Sequence, residues 1–447
     1  MNLLQQTATL THADAKKHLE IPFEMPAGAT QLAITLEFSP LHKEGVKGRN
    51  MLCLTLFDPD GFRGAGHNKR DNNVSLSAVA ATPGYTPGPL QAGGWRLVID
   101  THMVLPGSVV EYRLSIDVSD QPVVGTPRHW AKPSITPRGA GWYRGDLHAH
   151  TIHSDASWDV TDLVKEAKER GLDFVTLSDH NTVSPLAEMD SLASDKMLTM
   201  GGMELTTYYG HALALGIRQW IDWRVRPGER TMVEIAADVV KAGGTFIIAH
   251  PMAPGDPECT GCDWRYFEMM PGTARLVEVW NGGEWSDYNE RGLQLWYVWL
   301  NQGHHLTCTA GTDAHGPAAL DAELGFNVVY AHELSEAGIL AGIRAGRSYL
   351  SSGPVLSLLV KNEHGEEASL GESLAGEQFS VHCGWSQCAA DDQIRLIGEG
   401  KVIATQNAND SGKSEWKLSE QELLWCLVEV RGADGRLRAV SNPVWLK

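Results

Sequence analysis

No stretch of this 447-residue chain is apolar for long enough to span a bilayer, and it holds no internal repeat or low-complexity tract. The opening residues Met1 to Gln6 also lack the basic and apolar regions of a secretory leader, so a cytoplasmic protein is expected. Positive charge is scarce: 37 Lys and Arg stand against 55 Asp and Glu, a formal net charge of −18. That balance argues against a nucleic acid or an anionic membrane as partner, since each needs a basic face. It leaves a phosphorylated small molecule open, because bound divalent cations reverse the field locally. Cysteine is too sparse and too scattered for a secreted disulfide framework, with seven in the chain. One pair, Cys259 and Cys262, has metal or redox spacing, but no second pair of ligands lies nearby. It is expected to be a free or bridged loop element rather than a zinc knuckle. No Gly-x-Ser-x-Gly elbow, Walker-type loop or dinucleotide glycine motif is present, which removes the usual serine-nucleophile and nucleotide readings.

What the chain does have is ordinary bulk: 43% hydrophobic and 21% charged residues, enough for two to four domains with sizeable cores. Residues 1–130 read as β. Gln31 to Phe38 and Met51 to Phe57 alternate or are continuously apolar, and turn clusters such as Asp58-Pro59-Asp60-Gly61 separate the runs. An antiparallel sandwich is the expectation. Pro122, Pro127, Pro133 and Pro137 mark a linker. Residues 140–350 alternate strand and helix. Thr161 to Arg170 has helical spacing and stops at Gly171, Leu172 to Leu177 follows as a strand, and Thr231 to Ala242 repeats the pattern before Thr245 to Ala249. This rhythm implies a mainly parallel sheet or barrel. After Ser351 the helical signal fades, and residues 351–447 read as a small C-terminal β domain.

The chemistry concentrates in the middle segment. Asp146-Leu147-His148-Ala149-His150 puts two imidazoles at i and i+2, on one face if the segment is a strand, where they can share a divalent ion. Further ligand-type residues follow at the ends of later strands: Asp155, Asp179-His180, Glu204 with His211, His250, and Asp313-Ala314-His315. Strand ends are where α/β folds place their sites. Each residue alone has a plain alternative as a turn residue, a surface carboxylate or a hydrogen-bonded histidine. Together, in one segment, they point to a multinuclear metal site.

The motifs Gly145 to Thr151, Ser154-Asp155, Ser178 to Thr182, Glu204, His211, Ala249-His250-Pro251 and Gly311 to His315 resemble, in order and content, the polymerase-and-histidinol-phosphatase (PHP) family. The resemblance implies an α/β fold, a distorted (β/α)7 PHP barrel flanked by the N-terminal β-sandwich and the small C-terminal β domain. It further implies two or three divalent metal ions, Mn, Zn or Fe. His148, His150, Glu204 and Asp313 would hold the first; Glu204 would bridge to a second with His211 and His250; Asp155, His180 and His315 would hold a third. His153 is the rival to Asp155. Asp146 and Asp179 are read as groups orienting ligating histidines. Glu278-Val279-Trp280-Asn281-Gly282 and Ser352-Gly353-Pro354 further resemble the carbaryl-hydrolase-like (CehA/McbA-type) branch.

The implied enzyme is a metal-dependent hydrolase using a metal-bridging hydroxide, with Glu204 and Asp313 at its centre. A phosphoesterase acting on a small phosphate mono- or diester is preferred, with Arg144 as a cation for phosphate or else an exposed salt-bridging residue. Carbamate or carboxylic ester hydrolysis is the alternative, and a non-catalytic metal-binding structural or regulatory module the reading of another class. Trp264, Trp280 and Trp285 are expected in the core more than in a substrate pocket. A small-molecule ester is the expected partner, with no nucleic acid and no membrane.

Overall fold

The computed structural model describes every residue except 70, 321–322 and 419–422. The first 119 residues build two four-stranded antiparallel sheets. Leu32, Ile34 and Leu36 of one sheet meet Leu52, Leu54, Leu56, Leu97 and Ile99 of the other in a single core. In Gln31–Ser39 the buried positions alternate, as its sequence pattern predicts. Met51–Asp58 differs: Leu52 through Leu56 are all buried, because its second face is covered by the following segment. There Thr55 donates to the Asp100 carboxylate at 2.7 Å. Asp100 also receives two bonds from the Arg224 guanidinium, at 3.2 and 3.0 Å. Residues 120–140 contain neither helix nor strand.

The middle segment contributes β1 (Gly141–Asp146), α1 (Val160–Glu169), β2 (Phe174–Leu177), α2 (Leu186–Ser191), β3 (Leu198–Thr206), β4 (His211–Leu215), α3 (Met232–Lys241), β5 (Thr245–Ala249), β6 (Leu276–Asn281), α4 (Asp287–Asn301), β7 (Thr307–Gly311), β8 (Phe326–Ala331), α5 (Glu336–Arg344) and β9 (Ser348–Ser351). The helices begin where their sequences supply caps. Asp159 accepts from the Asp162 amide at the start of α1, and Thr231 accepts from the Glu234 amide at the start of α3.

These strands lie side by side in the order β7-β6-β5-β4-β3-β2-β1-β8-β9, within one large sheet of a mixed α/β protein. The expectation of a mainly parallel sheet needs correction. β1, β2 and β3 are parallel, as are β5, β6 and β7, but β4 runs antiparallel to both β3 and β5, and β8 antiparallel to β1. Only Thr207–Gly210 separates β3 from β4, too short for the crossover a parallel pair requires.

Between β7 and β8 a side chain takes the place of a ladder. The Asn327 amide accepts from the Ala310 N–H at 3.0 Å and donates to the Ala310 carbonyl at 2.6 Å. Asn442 serves Cys308 in the same way, accepting from its N–H at 2.8 Å. Beyond β9 the sheet continues into C-terminal strands, beginning with Leu437–Ser441, which pairs antiparallel with β9. No helix among the described residues is long and apolar enough to cross a membrane.

Candidate metal centre

The strands above deliver their ligand-type residues to one edge of the sheet. His148 and His150 follow the end of β1, Asp179 and His180 follow β2, Glu204 lies near the end of β3, His250 follows β5, and Asp313 follows β7. His211 opens β4, and because β4 is antiparallel its first residue falls at the same edge, opposite Thr206 of β3. The strand carrying the first two histidines ends earlier than expected. β1 stops at Asp146, and a single bridge between Ala149 and Ala314 continues its line. His148 and His150 reach the cluster all the same.

Glu204 occupies the middle, fully buried. Its Oε2 faces Nε2 of His148 at 3.2 Å, Nε2 of His150 at 3.4 Å and Nδ1 of His180 at 2.8 Å. Its Oε1 faces Nδ1 of His211 at 3.0 Å and Nε2 of His250 at 3.3 Å. Asp313 closes the first group, with Oδ1 at 2.8 Å from His150 Nε2 and 3.5 Å from His148 Nε2. Asp155 stands between His315 and His180, at 3.1 and 3.5 Å from their Nε2 atoms. The donor atoms thus fall into a His148/His150/Glu204/Asp313 group, a His150/Asp155/His180/His315 group and a His211/His250/Cys262 group. Cys262 is bonded to Cys259 in a disulfide.

These residues suit cations. Nε2 of His148, both ring nitrogens of His150, Oδ1 of Asp155, Oε2 of Glu204, Nδ1 of His250 and Oδ1 of Asp313 are buried and have no hydrogen-bond partner. Several approach one another closely yet are misaligned for a hydrogen bond, as atoms converging on a common ion would be. Buried polar atoms are rarely left so. The charges are coupled as well. Burial alone would raise the Glu204 carboxyl, but His180, His148 and His211 outweigh it and hold it well below the usual carboxylate range. Burial likewise disfavours charge on His148, but Asp313, Glu278 and Glu204 hold it well above its ordinary value. His150 goes the other way: burial, His180 and His315 push it down to about 4. Backbone strain collects here too. His250 and Asp313 adopt φ of +28° and +50°, a region costly for side-chain-bearing residues and found where function demands it.

Other expected residues are placed differently. Arg144 does not reach the centre. It alternates outward from β1, and its guanidinium stacks 4.4 Å above the Phe326 ring. His153 turns away to Ser184, with Nδ1 2.7 Å from its hydroxyl. Asp146 and Asp179 orient backbone rather than imidazole. Asp146 accepts from the amides of Thr312 and His148, at 3.0 and 3.2 Å, and Asp179 from those of Thr151 and Ser154, at 2.8 and 3.1 Å. Trp264, Trp280 and Trp285 are buried in the main core.

The carboxylate that does orient an imidazole from outside the ligand set is that of Glu278 of β6, which accepts from His148 Nδ1 at 3.0 Å. Asn281 donates to Glu278 at 2.7 Å and to Asp313 at 3.2 Å, linking the two. Above the cluster opens a cavity of about 570 Å³. Its far wall is not from the middle segment at all: Arg49, His67, Asn68 and Met103 of the N-terminal sheets line it.

Residues 146–228 match the family model described as the PHP domain. This segment is a PHP domain. The match takes in His148, His150, Asp155, His180, Glu204 and His211, while His250, Asp313 and His315 lie beyond it. An uncharacterized protein of Methanocaldococcus jannaschii is 28% identical over 151 residues, 31% of this chain and 81% of its own length. Among solved structures, a two-domain Bacteroides vulgatus protein containing a predicted PHP-like metal-dependent phosphoesterase aligns with 17% identity, 71% of this chain, all of its own and a TM-score of 0.40. A candidate metal-dependent phosphoesterase of Bifidobacterium adolescentis aligns with 19% identity, 44% of this chain, 94% of its own and a TM-score of 0.30. Both likenesses are too distant to carry an activity across to this PHP domain.

Proposed function

We propose that this protein is a metal-dependent phosphoesterase acting on a small phosphate mono- or diester. The observation that supports it most is Glu204, which turns one oxygen to His148 and His150 and the other to His211 and His250, amid buried donor atoms that have no partner. In this reading His148, His150, Glu204 and Asp313 hold one divalent ion, Glu204 with His211 and His250 a second, and Asp155, His180 and His315 a third. Bound ions would supply positive charge to the phosphoryl oxygens and acidify an attacking water.

The chain's own residues then do the rest. Glu204, Asp155, Asp313 and Glu278 crowd four carboxylates beside the cavity, so an anionic ester is repelled until cations offset them. Asp146 and Asp179 fix the loops that carry the histidines. Glu278 keeps the Nδ1 proton of His148 and leaves Nε2 free to coordinate. Arg49, on the cavity wall, takes the phosphate-facing part first expected of Arg144. The same reading treats the middle strands as a distorted seven-stranded barrel over residues 140–350, with a sandwich over 1–130 and a C-terminal β domain over 351–447.

Carbamate or carboxylic ester hydrolysis is the second reading. It is favoured by one observation: Glu278 and Asn281, from the stretch resembling the carbaryl-hydrolase-like branch, bond directly to His148 and Asp313. The two are separated by assaying chelator-stripped, manganese-reloaded protein on p-nitrophenyl phosphate, bis-p-nitrophenyl phosphate and 1-naphthyl N-methylcarbamate. Turnover of a phosphate ester, lost in His148→Ala, is the expected result. Turnover of the carbamate alone would overturn the phosphoesterase reading.

A further inference from the structure

We propose that Cys53, His67 and His102 form a separate metal-binding site, for one zinc-class ion, in the wall between the N-terminal sheets and the PHP centre. The three come from neighbouring strands. Cys53 lies in Met51–Asp58, the strand between Gly61–Gly66, which His67 directly follows, and Gly93–Met103, which holds His102. Alternation sends Leu52 and Leu54 into the sheet's own core and Cys53 to the opposite face, turned toward the middle segment.

All three are enclosed, at 4%, 6% and 1% exposure for Cys53, His67 and His102. Their donor atoms lie within 4.8 Å of one another. The Cys53 sulfur is 3.8 Å from His67 Nδ1, against about 3.5 Å expected between sulfur and nitrogen on a tetrahedral zinc. A contraction of a few tenths of an ångström brings this pair to that distance. Nδ1 of His102 is buried with no hydrogen-bond partner, which a ring present only for packing against Trp223 and Tyr208 does not account for. Burial pushes the Cys53 thiol up to about 12 against the Asn68 amide, which donates to its sulfur at 3.4 Å, so an ion binds here by displacing the thiol proton.

Three protein ligands with a cysteine and two histidines suit a borderline-soft ion and leave a fourth position open. His67 also lines the cavity above the PHP centre. The site shares no ligand with the carboxylate-bridged groups and is independent of the phosphoesterase reading.

The test uses the full chain, stripped with chelator and titrated with Co(II). We expect a thiolate-to-cobalt charge-transfer band whose final amplitude corresponds to one thiolate-bound cobalt per chain, retained in a Cys259→Ser/Cys262→Ser double variant and lost in Cys53→Ser. No such band, or a band that survives Cys53→Ser, overturns the proposal. Should Cys53→Ser fail to fold, zinc-edge X-ray absorption of the Cys259→Ser/Cys262→Ser protein decides. A sulfur in the zinc shell is expected, and a shell of nitrogen and oxygen alone overturns the site.

Discussion

The carboxylate of Glu278 accepts from Nδ1 of His148 at 3.0 Å, with both side chains fully buried. With Nδ1 engaged by Glu278, Nε2 is the atom that faces Glu204 and Asp313, at 3.2 and 3.5 Å, where a bound ion would take the place of its proton.

Replacing Glu278 by Ala should therefore weaken metal binding by roughly 10- to 100-fold, the usual cost of removing such a partner. Competition against a calibrated chelator reads this directly. Unchanged affinity would mean that something other than Glu278 sets the orientation of His148.

Arg49→Ala should raise KM for a phosphate monoester about 10- to 100-fold with a smaller change in kcat. A charge-assisted hydrogen bond lost from ground and transition state alike has that signature and magnitude. A loss confined to kcat would place Arg49 in the chemical step and contradict its role as a binding cation.

Acid should undo the contact between the N-terminal sheets and the PHP domain. Burial alone would raise the Asp100 carboxyl, but Arg224 and His18 outweigh it and hold it far below its ordinary value. A depressed carboxylate contributes stability that is complete above its unfolded value, about 3.9, and is lost progressively as pH falls below that. Asp100→Asn should cost roughly 3–5 kcal/mol at pH 7 by removing the buried carboxylate that pairs with Arg224 Nε and Nη2, leaving only Asp222 on the guanidinium. Thermal unfolding of the two proteins should then converge as the pH is lowered toward 3. A gap that stays constant with pH would show that the ion pair is not the source.

Asn327→Leu should expose the seam between β7 and β8. It leaves the buried Ala310 N–H and carbonyl without partners, at about 1–3 kcal/mol for each group. Denaturant unfolding gives the loss, and hydrogen exchange at the Ala310 amide should accelerate more than at amides of β5. Uniform acceleration would mean that the seam has no local weakness.

Much of this centre can be read from the sequence because local spacing carries it. His148 and His150 lie two apart, Asp313 and His315 likewise, and each follows a short apolar run that marks a strand end. Glu278 is hidden by the opposite circumstance: it sits inside the apolar run Leu276 to Trp280, where a carboxylate looks like an interruption. His67 and His102 are hidden by distance, since nothing in a linear pattern says that an N-terminal sheet will fold over a site that begins only at His148. Arg144 misleads because proximity in sequence to His148 says little about direction when each step along a strand reverses the face. The reversal of β4 was within reach, since four residues between two strands leave no room for a crossover.

The strand Met51–Asp58 has no solvent-facing side, and that has an evolutionary consequence. One set of its side chains maintains a fold, while the alternate set faces the middle segment and begins with Met51, which lines the cavity above the metal centre. Selectivity and reactivity are thus inscribed on separate lengths of polypeptide, and the buried Arg224 is one of the residues that fasten them together.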